Sequence, residues 1–165
     1  MKKALLVLVI VLAPVLTYAD FQLGGIGLYN GNIAAMGSTS NNFTFGLETR
    51  FKFLSVFQVG LTGLDYLSSS AADPSYIEAL TDAGLSLDLL FLRLGAGIGP
   101  DFFIPTSGPA VTASSVANLK LSADINIGPI SIGVAAFYPV QSIWDLQNVA
   151  TMTPWVGFTA LIRLF

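Results

Sequence analysis

Nine ionisable side chains stand at positions where an alternating chain would bring them together. Arg50, Lys52, Arg93, Lys120 and Arg163, with Glu48, Asp82, Asp88 and Asp124, all fall on the polar parity of segments whose other residues are mostly apolar. Enclosed together, such groups can neutralise one another as a hydrogen-bonded ionic plug. They can also line a polar constriction in a narrow conduit. A second set, Asp65, Asp73, Glu78, Asp101 and Asp145, lies in or beside stretches without Lys or Arg. An acidic rim of this kind suits a divalent cation or a basic extracellular partner and disfavours anions. It also serves simple solubility, and its spacing matches no calcium loop.

Other chemistry is poorly provided for. The 165 residues include no His and no Cys. That removes the commonest general base and neutral metal ligand, together with disulfides and thiolate metal sites. Asp65 and Asp82 flank one predicted loop, but nothing positions them as a catalytic pair. Gly95-Ala96-Gly97-Ile98-Gly99 has the wrong spacing for a phosphate loop and no helix after it. We therefore assign no catalytic residue, no cofactor and no protein-ligated metal. Seven Lys+Arg against ten Asp+Glu argue against a nucleic-acid partner.

The elements that must position these residues are strands. From Asn42 to Leu54 the odd positions carry Phe43, Phe45, Leu47, Phe51 and Phe53, and the even ones Glu48, Arg50 and Lys52. Successive side chains of a strand point to opposite faces, so one face is aromatic and the other charged. The same alternation predicts strands over Asp20–Tyr29, Val56–Tyr66, Thr81–Leu89, Phe91–Gly99, Val116–Ile127, Ile130–Tyr138 and Pro154–Phe165. Most of these eight strands have the roughly 9–11 residues that a tilted membrane strand needs.

The connections sort by length. Leu54-Ser55, Leu90 and Gly128-Pro129 are tight turns, while 30–41, 67–80, 100–115 and 139–153 are long. In an up-and-down meander this places every long loop at one end. Asp73-Pro74-Ser75 carries a helix-start signal through Leu80, with Asp as N-cap. Ile143–Val149 is a weaker helical candidate.

Lys2 and Lys3, an apolar run to Val15 and Thr17-Tyr18-Ala19 form the pattern of a cleaved signal peptide over 1–19. Residues 20–165 are then the mature domain, with five cations against ten acids. The chain is 53% hydrophobic and only 10% charged, against about 25% charged in an ordinary soluble domain. Low charge, a Gly-rich polar face and aromatics sorted to the strand ends predict that the apolar face points outward, into lipid. Phe21, Phe51, Phe53, Phe57, Phe91 and Phe165 would form a girdle at the turn end. Tyr29, Phe43, Phe45, Tyr66, Phe102, Phe103, Tyr138 and Trp155 would form one at the loop end. The fold class expected is all-β, an eight-stranded antiparallel up-and-down transmembrane barrel. The alternative is a soluble periplasmic lipocalin-like binder with its apolar face inward.

With these features, residues 20–165 resemble the small eight-stranded outer-membrane barrels of Gram-negative-type bacteria, the OmpA/OmpX/OmpW size class. The ending Gly157-Phe158-Thr159-Ala160-Leu161-Ile162-Arg163-Leu164-Phe165 carries part of that resemblance. It implies that Phe165 is an insertion signal, read by the barrel insertion machinery through the C-terminal strand. Arg163 departs from the pattern of hydrophobic residues at alternate positions, leaving the register of this strand open. The resemblance implies an outer-membrane location, with lipid as the first partner. It also implies a role as a narrow conduit for small solutes or as a presenter of surface loops. Enzymes of this class use His with Ser or Asp, and there is no His here.

Overall fold

A computed structural model describes residues 19–31, 43–66, 75–107 and 115–164. They form one closed antiparallel barrel with strand order β1-β2-β3-β4-β5-β6-β7-β8. The strands are β1 (Asp20–Tyr29), β2 (Phe43–Phe53), β3 (Phe57–Tyr66), β4 (Ser75–Leu89), β5 (Leu92–Ser107), β6 (Ala117–Ile127), β7 (Ile130–Val140) and β8 (Trp155–Arg163). Closure runs from Gln22 opposite Arg163 to Tyr29 opposite Val156. The proposed signal segment, Asp73 and Phe165 lie outside the described residues.

The tight turns use left-handed backbone at Leu54 (φ 51°), Ser55 (φ 64°), Leu90 (φ 58°) and Gly128 (φ 61°). The primed twist of such turns matches that of the flanking strands. Their carbonyls are not wasted. Val56, Phe91 and Pro129 accept from the amides of Ser86, Asn126 and Arg163, each at 2.7 Å, and Phe21 accepts from Leu164 at 2.8 Å. Backbone pairing thus continues to the rim of the turn end.

Two strands outrun their expected limits. β4 starts at Ser75 and β5 continues to Ser107. The helix expected through Leu80 is therefore a strand from Ser75 on, and Glu78 and Asp101 are strand residues rather than loop residues. The local N-cap signal loses to pairing on both sides, Tyr66 opposite Tyr76 and Glu78 opposite Phe103. The prolines that read as loop markers are accommodated within the sheet. Pro100 pairs with Ala117, and its carbonyl accepts from Thr81 Oγ1 at 2.8 Å. Pro105 faces Tyr76, beside the register shift at Ser75/Tyr76. A helix does form in the last long connection, as a 3-10 segment over Ile143–Thr151 with a break at Asn148. Among the described residues, no helix is long and apolar enough to cross a membrane.

The outward face is aliphatic and aromatic: Phe45, Leu47, Val59, Leu61, Leu85, Leu121, Ile132, Val134, Phe158 and Ile162 are all exposed. Three residues assigned to the loop-end girdle point inward instead. Tyr66, Phe103 and Trp155 share the parity of inward-facing Leu64, Asp101 and Gly157. Tyr29 is wholly covered, with Phe43 packed on its ring at 4.9 Å. The last strand resolves the Arg163 question. Leu161 and Arg163 face inward and Ile162 outward, so the strand keeps a regular alternation.

Candidate functional site

Inside the barrel, the side chains segregate by depth. At the turn end lie ten charged groups in two alternating chains. The inner chain runs Asp82–Lys120–Glu48–Arg50–Asp124. Lys120 Nζ is 3.0 Å from Asp82 and 2.6 Å from Glu48 Oε1, and Arg50 Nε is 2.6 Å from the same oxygen. Arg50 Nη1 completes it by donating to Asp124 Oδ2. The outer chain runs Lys52–Asp88–Arg93–Asp20–Arg163. Lys52 Nζ and Arg93 Nε each lie 2.7 Å from Asp88. Asp20 takes Arg93 Nη2, and also Arg163 Nε at 3.1 Å.

The inner chain has two cations and three anions, and the outer has three and two. The whole is neutral, as ions held away from water must be. Inner-chain residues are almost fully buried, whereas the side chains of Asp88 and Arg163 are 42% and 37% exposed. The inner chain therefore lies in low dielectric and the outer chain meets water at the turn-end mouth. All nine residues singled out in the sequence lie in these two chains. Asp20 was missed, although its parity with Gln22 places it on the same face.

Glycine makes the inner chain fit. A Cβ at Gly60 would overlap the Asp82 carboxylate, and one at Gly133 would overlap that of Asp124. The carboxylates occupy the space that side chains would take in a wider barrel.

Toward the loop end the lumen turns apolar. Ile26, Leu28, Leu64, Leu80, Ala135 and Phe137 form a buried cluster, with Tyr66 and Trp155 packed on it. The sequence reading missed this second plug, because it took the inward face as polar along its whole length. The bulky inward residues near the ends of β1, β3 and β7 were the available signal. Lys120 joins the two regions, its Nζ 5.3 Å from the Phe137 ring centre.

The five acids left over are those of the expected rim; Asp73 lies outside the described residues, and the structure separates Asp65 and Asp145 from Glu78 and Asp101. Asp65 is exposed on the outer face of β3. Asp145 closes the last loop, accepting from the amides of Ser142 at 2.7 Å and Gln141 at 3.0 Å. Glu78 and Asp101 point into the outer mouth of the lumen. Glu78 is buried beside Tyr66 and Tyr76. Asp101 accepts from Ser115 Oγ at 2.7 Å and Asn118 Nδ2 at 2.5 Å. Among the described residues, no three carboxylates converge to hold a metal ion.

No protein-family model matches the chain, and no curated protein does. Among solved structures, it is similar to the crystal structure of Ail, the attachment invasion locus protein of Yersinia pestis, in complex with the heparin analogue sucrose octasulfate. That match has 14% sequence identity and a TM-score of 0.47, and covers 88% of this chain and 96% of the other. The interior of this chain holds a neutral ion lattice, an apolar cluster above it and, at the outer mouth, two acids without a cationic partner among the described residues.

Proposed function

We propose that this chain is an integral outer-membrane barrel that does not conduct, and that its working surface is the loop end. The observation that carries this reading is the two plugs in series. A solute entering from the turn end would meet two chains of ion pairs, then the cluster around Leu64, Leu80 and Phe137. Breaking into the first separates buried charges, and the second is filled by packed apolar side chains. Of the two roles implied by the resemblance, the geometry favours presentation of surface loops over conduction.

Membrane residence is supported by which face is greasy. A soluble lipocalin-like barrel turns its apolar side inward and wets its charges. Here Arg50, Glu48 and Asp124 are enclosed, while Leu47, Val59 and Phe158 are outside. Closure supports the same reading, because hydrocarbon cannot satisfy unpaired backbone groups. Outer-membrane lipid is then the first partner, and insertion would pass through the C-terminal strand. The loop end carries no Lys or Arg in any long connection. It is therefore of the wrong sign to attract a polysulfate such as the one bound to Ail.

The test is direct. The refolded domain should enter detergent or lipid vesicles, migrate differently on a gel before and after boiling, and give no steady conductance in planar bilayers. Steady single-channel steps from the wild-type protein would refute closure. A stable monomer in plain buffer would refute the membrane reading.

A further inference from the structure

Glu78 is the group that the ionic lattice leaves unexplained. Its side chain is only 1% exposed, and a buried carboxylate without a counter-charge is costly. The five cations beyond Lys2 and Lys3 are all engaged at the turn end. None of the long connections carries a Lys or Arg that could reach it.

Its surroundings are equally specific. Leu80 opposite Asp101 and Glu78 opposite Phe103 make Glu78 and Asp101 diagonal neighbours on the inner face. Tyr66 and Tyr76 stack beside them, ring centres 4.8 Å apart, and Phe103 closes the row at 5.8 Å from Tyr76. Ser115 and Asn118 fix Asp101 in place. The Tyr66 hydroxyl lies within hydrogen-bonding reach of Glu78, but two buried oxygens in this group have no hydrogen-bond partner among the described residues, Glu78 Oε1 and Asn118 Oδ1. Asn118 is itself 1% exposed. Its amide nitrogen already grips Asp101, so its carbonyl oxygen adds an uncharged acceptor close to that acid.

We propose that Glu78 and Asp101, with Tyr66 and Asn118, bind a small hard cation of the calcium class at the outer mouth of the lumen. Two carboxylates and neutral oxygens are hard donors, which such ions prefer. No third carboxylate joins them, so the ion keeps part of its water and binds more weakly than in an all-protein cage. The cation supplies the missing charge and ties β4, β5 and β6 together below the surface loops. This deepens the reading of the loop end as the working surface, but depends only on which side chains face inward, so bilayer conductance can fail independently of it.

Terbium(III) is a fitting probe, because Tyr66 and Tyr76 would sensitise its emission. Tyrosine-excited terbium emission from the refolded barrel in non-ionic detergent should saturate, and Ca²⁺ should displace it. Glu78→Gln should weaken the apparent affinity by about tenfold or more, since ligand charge sets affinity in oxygen sites. Asp101→Asn should do likewise, while Asp65→Asn on the outer face should leave it unchanged. Heat-modifiable migration checks each variant's fold, and if Glu78→Gln fails to fold, Asp101→Asn decides alone. Absence of saturable emission overturns the proposal. So does emission that survives Glu78→Gln or Asp101→Asn, or that Asp65→Asn abolishes.

Discussion

The alternation of charge along the inner chain sets an order of mutant stabilities that simple contact loss would not give. Glu48 is its centre, bonded to both Lys120 and Arg50. Replacing it by Gln leaves two neutral pairs, Lys120 with Asp82 and Arg50 with Asp124. The loss is that of charge-assisted hydrogen bonds, about 1.5–3 kcal/mol. Lys120→Met removes one charge as well, but strands Asp82, which has no other ion-pair partner among the described residues. Glu48 and Asp124 then share Arg50 while Asp82 keeps no counter-charge, and removing one member of a buried pair costs about 3–5 kcal/mol. Asp82→Asn added to Lys120→Met leaves Glu48–Arg50–Asp124, with the same net charge as the full chain, and should recover about 2 kcal/mol of that loss. Urea unfolding in lipid vesicles, followed by Trp fluorescence, measures all four proteins. Trp155 packs on the apolar plug next to Lys120 and Phe137 and reports its loosening. Glu48→Gln proving worse than Lys120→Met, or Asp82→Asn failing to rescue, would refute the charge-chain account.

Three further outcomes follow from other regions. Leu47 lies mid-strand and is 66% exposed, so Leu47→Arg should cost about 2–4 kcal/mol in vesicles; little or no cost would mean that water wets this face. Leu54 holds a left-handed φ of 51°, so Leu54→Gly should be neutral or stabilising by up to about 1 kcal/mol in the same unfolding assay, since a side chain there costs about 1–2 kcal/mol. Gly133→Val drives a branched side chain against Asp124, and should destabilise by about 1–3 kcal/mol through overpacking. Gly128→Ala meets nothing within 4 Å and serves as a control for backbone strain alone at its φ of 61°.

How much of this was legible in the sequence depends on the length scale of the signal. Parity is local and robust. Phe43 to Phe53 assigned one strand to two faces, and the structure keeps that assignment at every position from Phe43 to Lys52. Turns at Leu54, Leu90 and Gly128 were equally local. The start of β4 was not, because Asp73-Pro74 is a helix start in isolation and only the registers with β3 and β5 make Tyr76–Leu80 a strand. The same pairing carried Glu78 and Asp101 from an expected outer rim to the inner wall. Tyr66, Phe103 and Trp155 failed for a related reason. Their place near a strand end was read correctly, but position along a strand says nothing about which side a ring faces.

Charge bookkeeping reaches further than any one pairing. Once the strands are closed, polar parity encloses five cations, and five carboxylates must lie within reach of them. Glu48, Asp82, Asp88 and Asp124 supply four; the fifth, Asp20, is the inward residue at the start of β1, where it meets both Arg93 and Arg163. Beyond Lys2 and Lys3, the remaining acids then have no cation in the chain to meet, wherever the loops go. For Asp65 and Asp145 that is of no consequence, since one is exposed and the other is held by backbone amides. For Glu78 it is a physical demand. A carboxylate as buried as Arg50, set among tyrosines and another acid, has to be neutralised, by a proton or by a cation from outside the barrel.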